Sequence, residues 1–167
     1  MKPRPALSLL EQMIARLTTQ QRLLDEAMRL IATVDGSLLE VGLGKGRTFD
    51  YLRRRMPERT IYAFDRELHA PPLAAPDAAH LFLGEFSETL AAVAKGGRIT
   101  ALAHADFGSP DRAHDVQQAK VLGALLQPLM RRGGIVLSDR ELNVEGWNAL
   151  PIDPLPSWPY YLWRVDS

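Results

Sequence analysis

Glu40-Val41-Gly42-Leu43-Gly44-Lys45-Gly46 is the stretch on which the fold turns. Ahead of the glycines, Leu38-Leu39-Glu40-Val41 reads as a short apolar strand. Behind them, Phe49, Leu52 and Met56 recur at helical spacing up to Pro57. Glycines in such a turn let the backbone bend sharply and approach a ligand closely. The helix that follows offers unpaired amides and the positive end of its dipole. The next strand covers residues 60–64, and Asp65 ends it, 19 positions after Gly46. An acid at that place accepts hydrogen bonds from ribose hydroxyls. These residues describe a nucleoside site at the C-terminal edge of a doubly wound sheet.

Working outward, Ser8-Leu9-Leu10-Glu11 has the spacing of a capping box, and Leu10, Met13, Ile14 and Leu17 share one helical face. Thr18 begins a second cap pattern. Leu23, Leu24, Ala27, Leu30, Ile31 and Val34 then form a wider stripe. The pattern predicts one broken helix, or two consecutive helices, ending near Asp35-Gly36. Residues 1–35 are therefore a helical segment ahead of a domain over 36–167. Beyond Asp65, Pro71, Pro72 and Pro76 rule out a long helix. A strand at 81–83, a helix at 87–94 and a strand at 99–105 follow. The next helix carries Val116, Ala119, Gly123, Leu126 and Met130 as its buried stripe, with a kink at Pro128. A strand at 135–137, a proline-rich run (Pro151, Pro154, Pro156, Pro159) and a final strand at 160–165 complete the chain. Apolar strands alternating with helices predict an α/β Rossmann-like three-layer sandwich with a mostly parallel sheet.

The chain has 167 residues, which suits one domain with a sizeable core. Twenty Lys and Arg balance twenty Asp and Glu. That neutrality argues against a surface built to grip phosphate backbones, so no nucleic-acid partner is expected. Cysteine is absent, which excludes a disulfide framework, a thiolate metal site and a cysteine nucleophile. Glu11, Gln12 and Arg16 interrupt the apolar run near the N-terminus, so no signal peptide is read, and no run of about 18 apolar residues suggests a membrane span. A cytoplasmic location is the expectation.

The glycine spacing narrows the nucleoside. A dinucleotide fingerprint needs a glycine at 47, where Arg47 stands, and the residues around Gly42 and Thr48 do not make a P-loop. Glycines at 42, 44 and 46 with an acid at 40 instead resemble motif I of the class I S-adenosylmethionine (SAM) methyltransferases. The resemblance extends over residues 37–139. Ile61-Tyr62-Ala63-Phe64-Asp65 is similar to the family's second strand with its ribose-binding acid. Leu83-Gly84-Glu85-Phe86 is similar to the segment after strand three, and Ala103-His104-Ala105-Asp106 to the strand-four motif. Leu126-Gln127-Pro128-Leu129-Met130 before Gly133-Gly134-Ile135-Val136-Leu137 resembles the approach to strand five. The resemblance implies SAM as cofactor and methyl transfer, with a small-molecule acceptor expected. It implies that Gly42, Gly44 and Gly46 pack against methionine and ribose, and that Glu40 shapes the loop or bonds near the amino group. Asp65 would hold the ribose, Arg66 would lie beside the adenine, and Glu85 and Phe86 would read its edge. Two departures stand out. The helix between strands two and three is replaced by a proline loop, and the short tail suggests that one strand of the family's antiparallel hairpin is missing.

Methyl transfer from a sulfonium needs alignment and exclusion of water more than covalent help. Asp106 and His104 alternate on strand four, so they face the same way, beside the donor in this architecture. Asp106 is the first candidate for the SAM amino group or the acceptor; capping of the turn after it is the alternative. His104 is a candidate base or a buried, satisfied histidine. Asp139 with Asp106 would be a metal pair as in catechol-type methyltransferases, but Arg140 follows where those enzymes have Asn. No metal is assigned. Arg140 is a candidate for an acceptor carboxylate or a partner of Asp139. Arg53-Arg54-Arg55 reads as a solvated helix face. Trp147, Trp158, Tyr160, Tyr161 and Trp163 concentrate the aromatics in the tail, as a pocket wall, an oligomer interface or sheet packing. With no separate acceptor domain, the pocket is expected from the N-terminal helices, the loop after Asp106, the tail or a second copy of the chain, and a homo-oligomer is expected. The rival readings are a non-catalytic protein that binds SAM or its demethylated product, a nicotinamide oxidoreductase, and a methyltransferase for protein or nucleic acid.

Overall fold

A computed structural model describes residues 7–97, 99–107 and 112–166. The chain opens with helix α1, Leu9–Leu30, and the capping box at its start is formed. The Ser8 hydroxyl accepts from the Glu11 amide at 3.2 Å, and the Glu11 carboxylate accepts from the Ser8 amide at 2.7 Å. The helix is unbroken over 22 residues, so the second cap pattern at Thr18 is not used. No glycine or proline interrupts residues 18–21, and a threonine inside a helix costs only a few tenths of a kcal/mol, too little to end one already propagating. Thr19 and Gln20 are instead buried along its length.

Strands β1 (Ser37–Val41), β2 (Ile61–Asp65), β3 (Leu81–Leu83), β4 (Thr100–Ala105) and β5 (Met130–Ser138) are parallel. Strands β6 (Trp147–Ala149) and β7 (Tyr161–Val165) run antiparallel to their neighbours. The seven-stranded order is β3-β2-β1-β4-β5-β7-β6. After β3 the chain returns to the other side of β1, so the strand order reverses between β1 and β4, and the crevice at their C-terminal ends is where such sheets bind ligands. The α/β expectation therefore holds. Both strands of the antiparallel hairpin are present, which corrects the expectation of a missing one. Strand β6 is three residues between Gly146 and the turn into Pro151, too short to show alternation. Strand β7 lies between β5 and β6 rather than at an edge.

Alternation along the strands sorts the core into two faces. Leu38, Ala63, Leu102 and Ile135 meet Leu23, Leu24 and Ala27 of α1 and Ile31 just beyond its end, with Phe49 and Leu52 of α2 (Arg47–Arg55). Leu39, Phe64, Ala103 and Val136 meet Phe86 and Leu90 of α3 (Phe86–Ala94), with Leu122 and Leu126 of α4 (Arg112–Leu126). Helix α1 thus forms, with α2, one of the two covering layers of the sheet. The proline loop after β2 holds only two short 3-10 turns, Pro72–Ala74 and Ala78–His80.

Helix α4 corrects two details. It ends at Leu126, and Met130 already belongs to β5. Pro128 therefore stands beyond the helix and kinks nothing: it lacks the N–H that would continue the ladder and biases Gln127 away from helical angles. Val116 is half exposed, while Asp115, Leu122 and Leu126 face inward. Strand β5 is longer than the apolar run at 135–137, because Thr100 pairs with Met130 and Leu102 with Ile135, leaving a bulge about Gly133 at φ 79°. On α2, Arg53 and Arg54 pair with Asp50, and the Arg55 guanidinium lies over the Tyr51 ring, as a solvated face predicts.

Candidate functional site

The glycine turn leaves β1 with φ of 89° at Gly42, 52° at Gly44 and 74° at Gly46, where α2 begins. A Cβ on Gly42 would lie 2.5 Å from the Asp106 carbonyl oxygen, and one on Gly46 would collide with the carbonyl of Ala74. Those two glycines seat the turn against β4 and the proline loop. A Cβ on Gly44 would meet nothing within 4 Å, so this one leaves its backbone open to a ligand. Asp65 faces it from the end of β2. Its carboxylate accepts from the Gly44 amide at 2.8 Å and from the Arg66 amide at 2.7 Å. A sugar lying over Gly44 is therefore within reach of Asp65.

Two clefts flank the turn. One, of about 80 Å³, is walled by Asp65, Arg66, Glu85, Phe86, Phe107 and Gln118. Glu85 precedes the first residue of α3. Its carboxylate pairs with the Arg66 guanidinium at 3.1 Å and accepts from the Gln118 side chain at 3.1 Å. Phe86 and Phe107 pack edge to face at 5.3 Å. A flat apolar surface edged by polar groups suits a purine. The other cleft, of about 90 Å³, runs between α1 and the turn, with Met13, Arg16, Leu17, Gln20, Gly42 and Asp106 in its walls. A larger cavity of about 580 Å³, beside Phe49, Arg59, Thr60 and Pro72, lies at the opposite end of β2 and does not touch the turn.

Below the second cleft the sheet carries a line of buried polar groups. Glu40 on β1 is fully buried and accepts from the Thr48 hydroxyl. Its two oxygens stand 3.1 and 3.0 Å from Nδ1 of His104, the facing residue on β4. Nε2 of His104 is 2.9 Å from the Tyr160 hydroxyl, which lies 2.5 Å from Asp106 Oδ2. Gln20 donates to the same Oδ2, and Arg16 reaches Oδ1 at 2.5 Å. Burial works against a charged imidazole, but Glu40, with Asp106 and Asp139 behind it, holds the His104 pKa above the ordinary histidine value. Burial alone would raise Asp106; His104 and Arg16 outweigh it and hold the carboxyl below the usual range. Tyr160 is pushed upward by burial and by Asp106.

His104 and Asp106 thus share one buried network, as their alternation on β4 predicts, although His104 is wholly enclosed while Asp106 reaches the cleft wall. Residues 108–110, where the alternative cap role for Asp106 falls, lie outside the described residues. Asp139 stands apart. Its Oδ1 has no hydrogen-bond partner, and burial with the nearby Asp106 charge pushes its pKa up to about 7. Arg140 lies near Asp139 and Asp115, donates to the Phe107 carbonyl at 3.2 Å and covers the Phe107 ring. Among the described residues no group of three or more His, Asp or Glu is placed to hold a metal ion. No described helix is long and apolar enough to cross a membrane. His69 and His80 sit by Glu67 and Asp77 on the proline loop, and His114 borders the cleft walled by Asp65 and Phe86.

The sequence assigns no site role to Arg16, Gln20 or Thr48 and shows Tyr160 only as part of an aromatic tail. Gln20 shows one sequence signal, a polar residue three positions ahead of an apolar stripe. Tyr160 follows Pro159 in a tail whose path the sequence does not fix.

A family model described as S-adenosyl-L-methionine methyltransferase matches residues 7–164. No curated protein matches the sequence. Among solved structures, an S-adenosyl-L-methionine methyl transferase from Silicibacter pomeroyi DSS-3 is 32% identical and superimposes with a TM-score of 0.87, covering 95% of this chain and 99% of its own. The calicheamicin methyltransferase CalS11 is 19% identical at a TM-score of 0.59, covering 89% of this chain and 79% of its own. The methyltransferase MycE from the mycinamycin biosynthetic pathway is 15% identical at 0.57, covering 93% of this chain and 48% of its own. The last two share the fold. The open backbone at Gly44, the carboxylate of Asp65 opposite it and the matched length agree, and the chain belongs to the S-adenosyl-L-methionine methyltransferase family, with S-adenosyl-L-methionine as its methyl donor.

Proposed function

We propose that the chain methylates a small molecule whose reacting atom enters the cleft between α1 and the glycine turn. The observation that carries this reading is the confinement of that cleft: about 90 Å³, roofed by Met13, Arg16 and Leu17, with Asp106 only 7% exposed in its wall. A slender group fits such a space directly, whereas a polymer must first extrude one side chain or base to reach it. The balanced net charge supports the same reading, and fold neighbours named for calicheamicin and mycinamycin are in keeping with it.

Each residue then has a part. Gly42, Gly44 and Gly46 give the close backbone approach, and Asp65 accepts from the ribose hydroxyls. Arg66, Glu85 and Phe86 hold the adenine. Glu40 anchors the turn from beneath through Thr48. Asp106 accepts from the donor's amino group or from the acceptor, and His104, enclosed behind it, is a positioning residue. The cofactor supplies an activated methyl group on a sulfonium. The chain aligns the acceptor with it and excludes water.

Incubation with methyl-labelled S-adenosyl-L-methionine and a cell extract divided by ultrafiltration tests the acceptor class. Label in the small-molecule filtrate is expected. Label confined to the protein or RNA of the retentate overturns the reading.

A further inference from the structure

The hydrogen bonds around Tyr160 constrain where its protons and those of His104 lie. Its hydroxyl carries a single hydrogen, while three groups approach its oxygen: Asp106 Oδ2 at 2.5 Å, His104 Nε2 at 2.9 Å and the Gln20 amide at 3.3 Å. Asp106 has Arg16 at 2.5 Å on its other oxygen, so it is a carboxylate and only accepts. The phenolic hydrogen therefore goes to Asp106, and Nε2 of His104 must bring a hydrogen of its own. On the far side, the two Glu40 oxygens stand almost equally far from Nδ1, at 3.1 and 3.0 Å, and one also accepts from the Thr48 hydroxyl, the arrangement of a carboxylate sharing one N–H rather than of a carboxyl donating from one oxygen. That nitrogen too must carry a hydrogen. A neutral imidazole has one N–H and cannot satisfy both partners.

From this we infer that Tyr160 is a positioning residue of the methyl-transfer site, locking His104 as a doubly protonated imidazolium between Glu40 and itself and so holding Asp106 as an oriented anion against the cleft. Charges alternate along the line, Glu40 negative, His104 positive, Asp106 negative and Arg16 positive, with the neutral phenol between the second and third. Glu40 and His104 are 0% exposed, Tyr160 4% and Gln20 6%, so water does not substitute for the links from Glu40 to Tyr160, and the line reaches solvent only at Arg16. The other charged groups that bear on the ring are Asp139, Asp106 and Glu40. The line also joins the two ends of the chain: Gln20 comes from α1, and Tyr160 from the residue before β7. The inference rests on the proposed role of Asp106, since an anion fixed there serves the amino group of the donor or the departing proton of the acceptor.

The full chain with ¹⁵N-labelled histidine, compared as wild type and Tyr160→Phe, tests it by NMR between pH 6 and 9, with S-adenosylhomocysteine titrated in parallel. In the wild type, His104 shows hydrogens on both ring nitrogens at pH 8. In Tyr160→Phe the Nε2 hydrogen has no acceptor, so His104 becomes singly protonated at Nδ1 and its titration midpoint falls by at least about one unit. The product's affinity then falls roughly three- to tenfold, the range of one hydrogen bond of about 1 kcal/mol. A purely packing role for Tyr160 leaves the histidine signature where it was. A neutral His104 in the wild type at pH 7, or an unchanged midpoint in the variant, overturns the inference. Should Tyr160→Phe lose its cooperative melt, Asp106→Asn serves. With the anion gone the phenol is free to donate to Nε2, and the same shift to a singly protonated ring is expected; its absence overturns the inference. Failure of the wild type to bind S-adenosylhomocysteine would instead strike at the proposed site, which separates the two outcomes.

Discussion

Asp65 and Asp139 are two carboxylates at strand ends with opposite environments. Asp65 accepts from two backbone amides beside an open glycine. On the proposed ribose role, Asp65→Ala removes charge-assisted bonds and is expected to weaken S-adenosyl-L-methionine binding by about 1.5–3 kcal/mol, read by calorimetry; unchanged affinity would refute that role. Asp139 has one oxygen without a partner and a pKa of about 7. Its folded value lies above its unfolded value, so the folded state keeps a proton that the unfolded chain releases. Stability is therefore lost as pH rises from about 4 through 7, and the loss is complete above that. In Asp139→Asn this loss disappears. The variant's advantage in thermal unfolding should grow between pH 5 and 8, to about 1–3 kcal/mol, and then level off. A difference that does not change with pH would refute the assignment. The glycine turn and Asp65 were legible in sequence because a bend and its facing acid lie close along the chain. The state of Asp139 was not, because burial is set by distant neighbours.

Helix α1 does two jobs with its two halves. Its second half packs Leu23, Leu24 and Ala27 under the sheet. Its first half leaves Leu9, Leu10 and Ile14 exposed and brings Met13, Arg16, Leu17 and Gln20 to the cleft. Leu24 is 1% exposed, so Leu24→Ala should destabilise the protein by about 2–5 kcal/mol in denaturant unfolding. Because Leu24 lies one turn beyond Gln20, that variant should also loosen the hold on Asp106 and weaken donor binding at temperatures where it remains folded; a loss of stability with binding untouched would separate the helix from the site. The capping box that starts α1 was readable from four consecutive residues. The continuity past Thr18 was not, because a local cap pattern competes with a helix already stabilised by packing on the sheet. The same competition decides the end of α4, where an apolar stripe running to Met130 gave way to a strand after Pro128.

At the scale of the whole molecule, the reversal of strand order between β1 and β4 places the glycine turn, Asp65 and Asp106 along one edge. The sequence by itself determined the alternation of strands and helices, the parallel core, the glycine turn and the acid facing it. Each of these follows from period, turn chemistry or spacing within some twenty residues. Only the tertiary structure decided that the tail supplies a full antiparallel hairpin, that α1 roofs the cleft, and that Gln20, Glu40, His104, Asp106 and Tyr160 form one buried line closed at its outer end by Arg16. Those contacts join residues as many as 140 positions apart, and which side chains meet across such separations is set by how the layers stack, which no local pattern encodes.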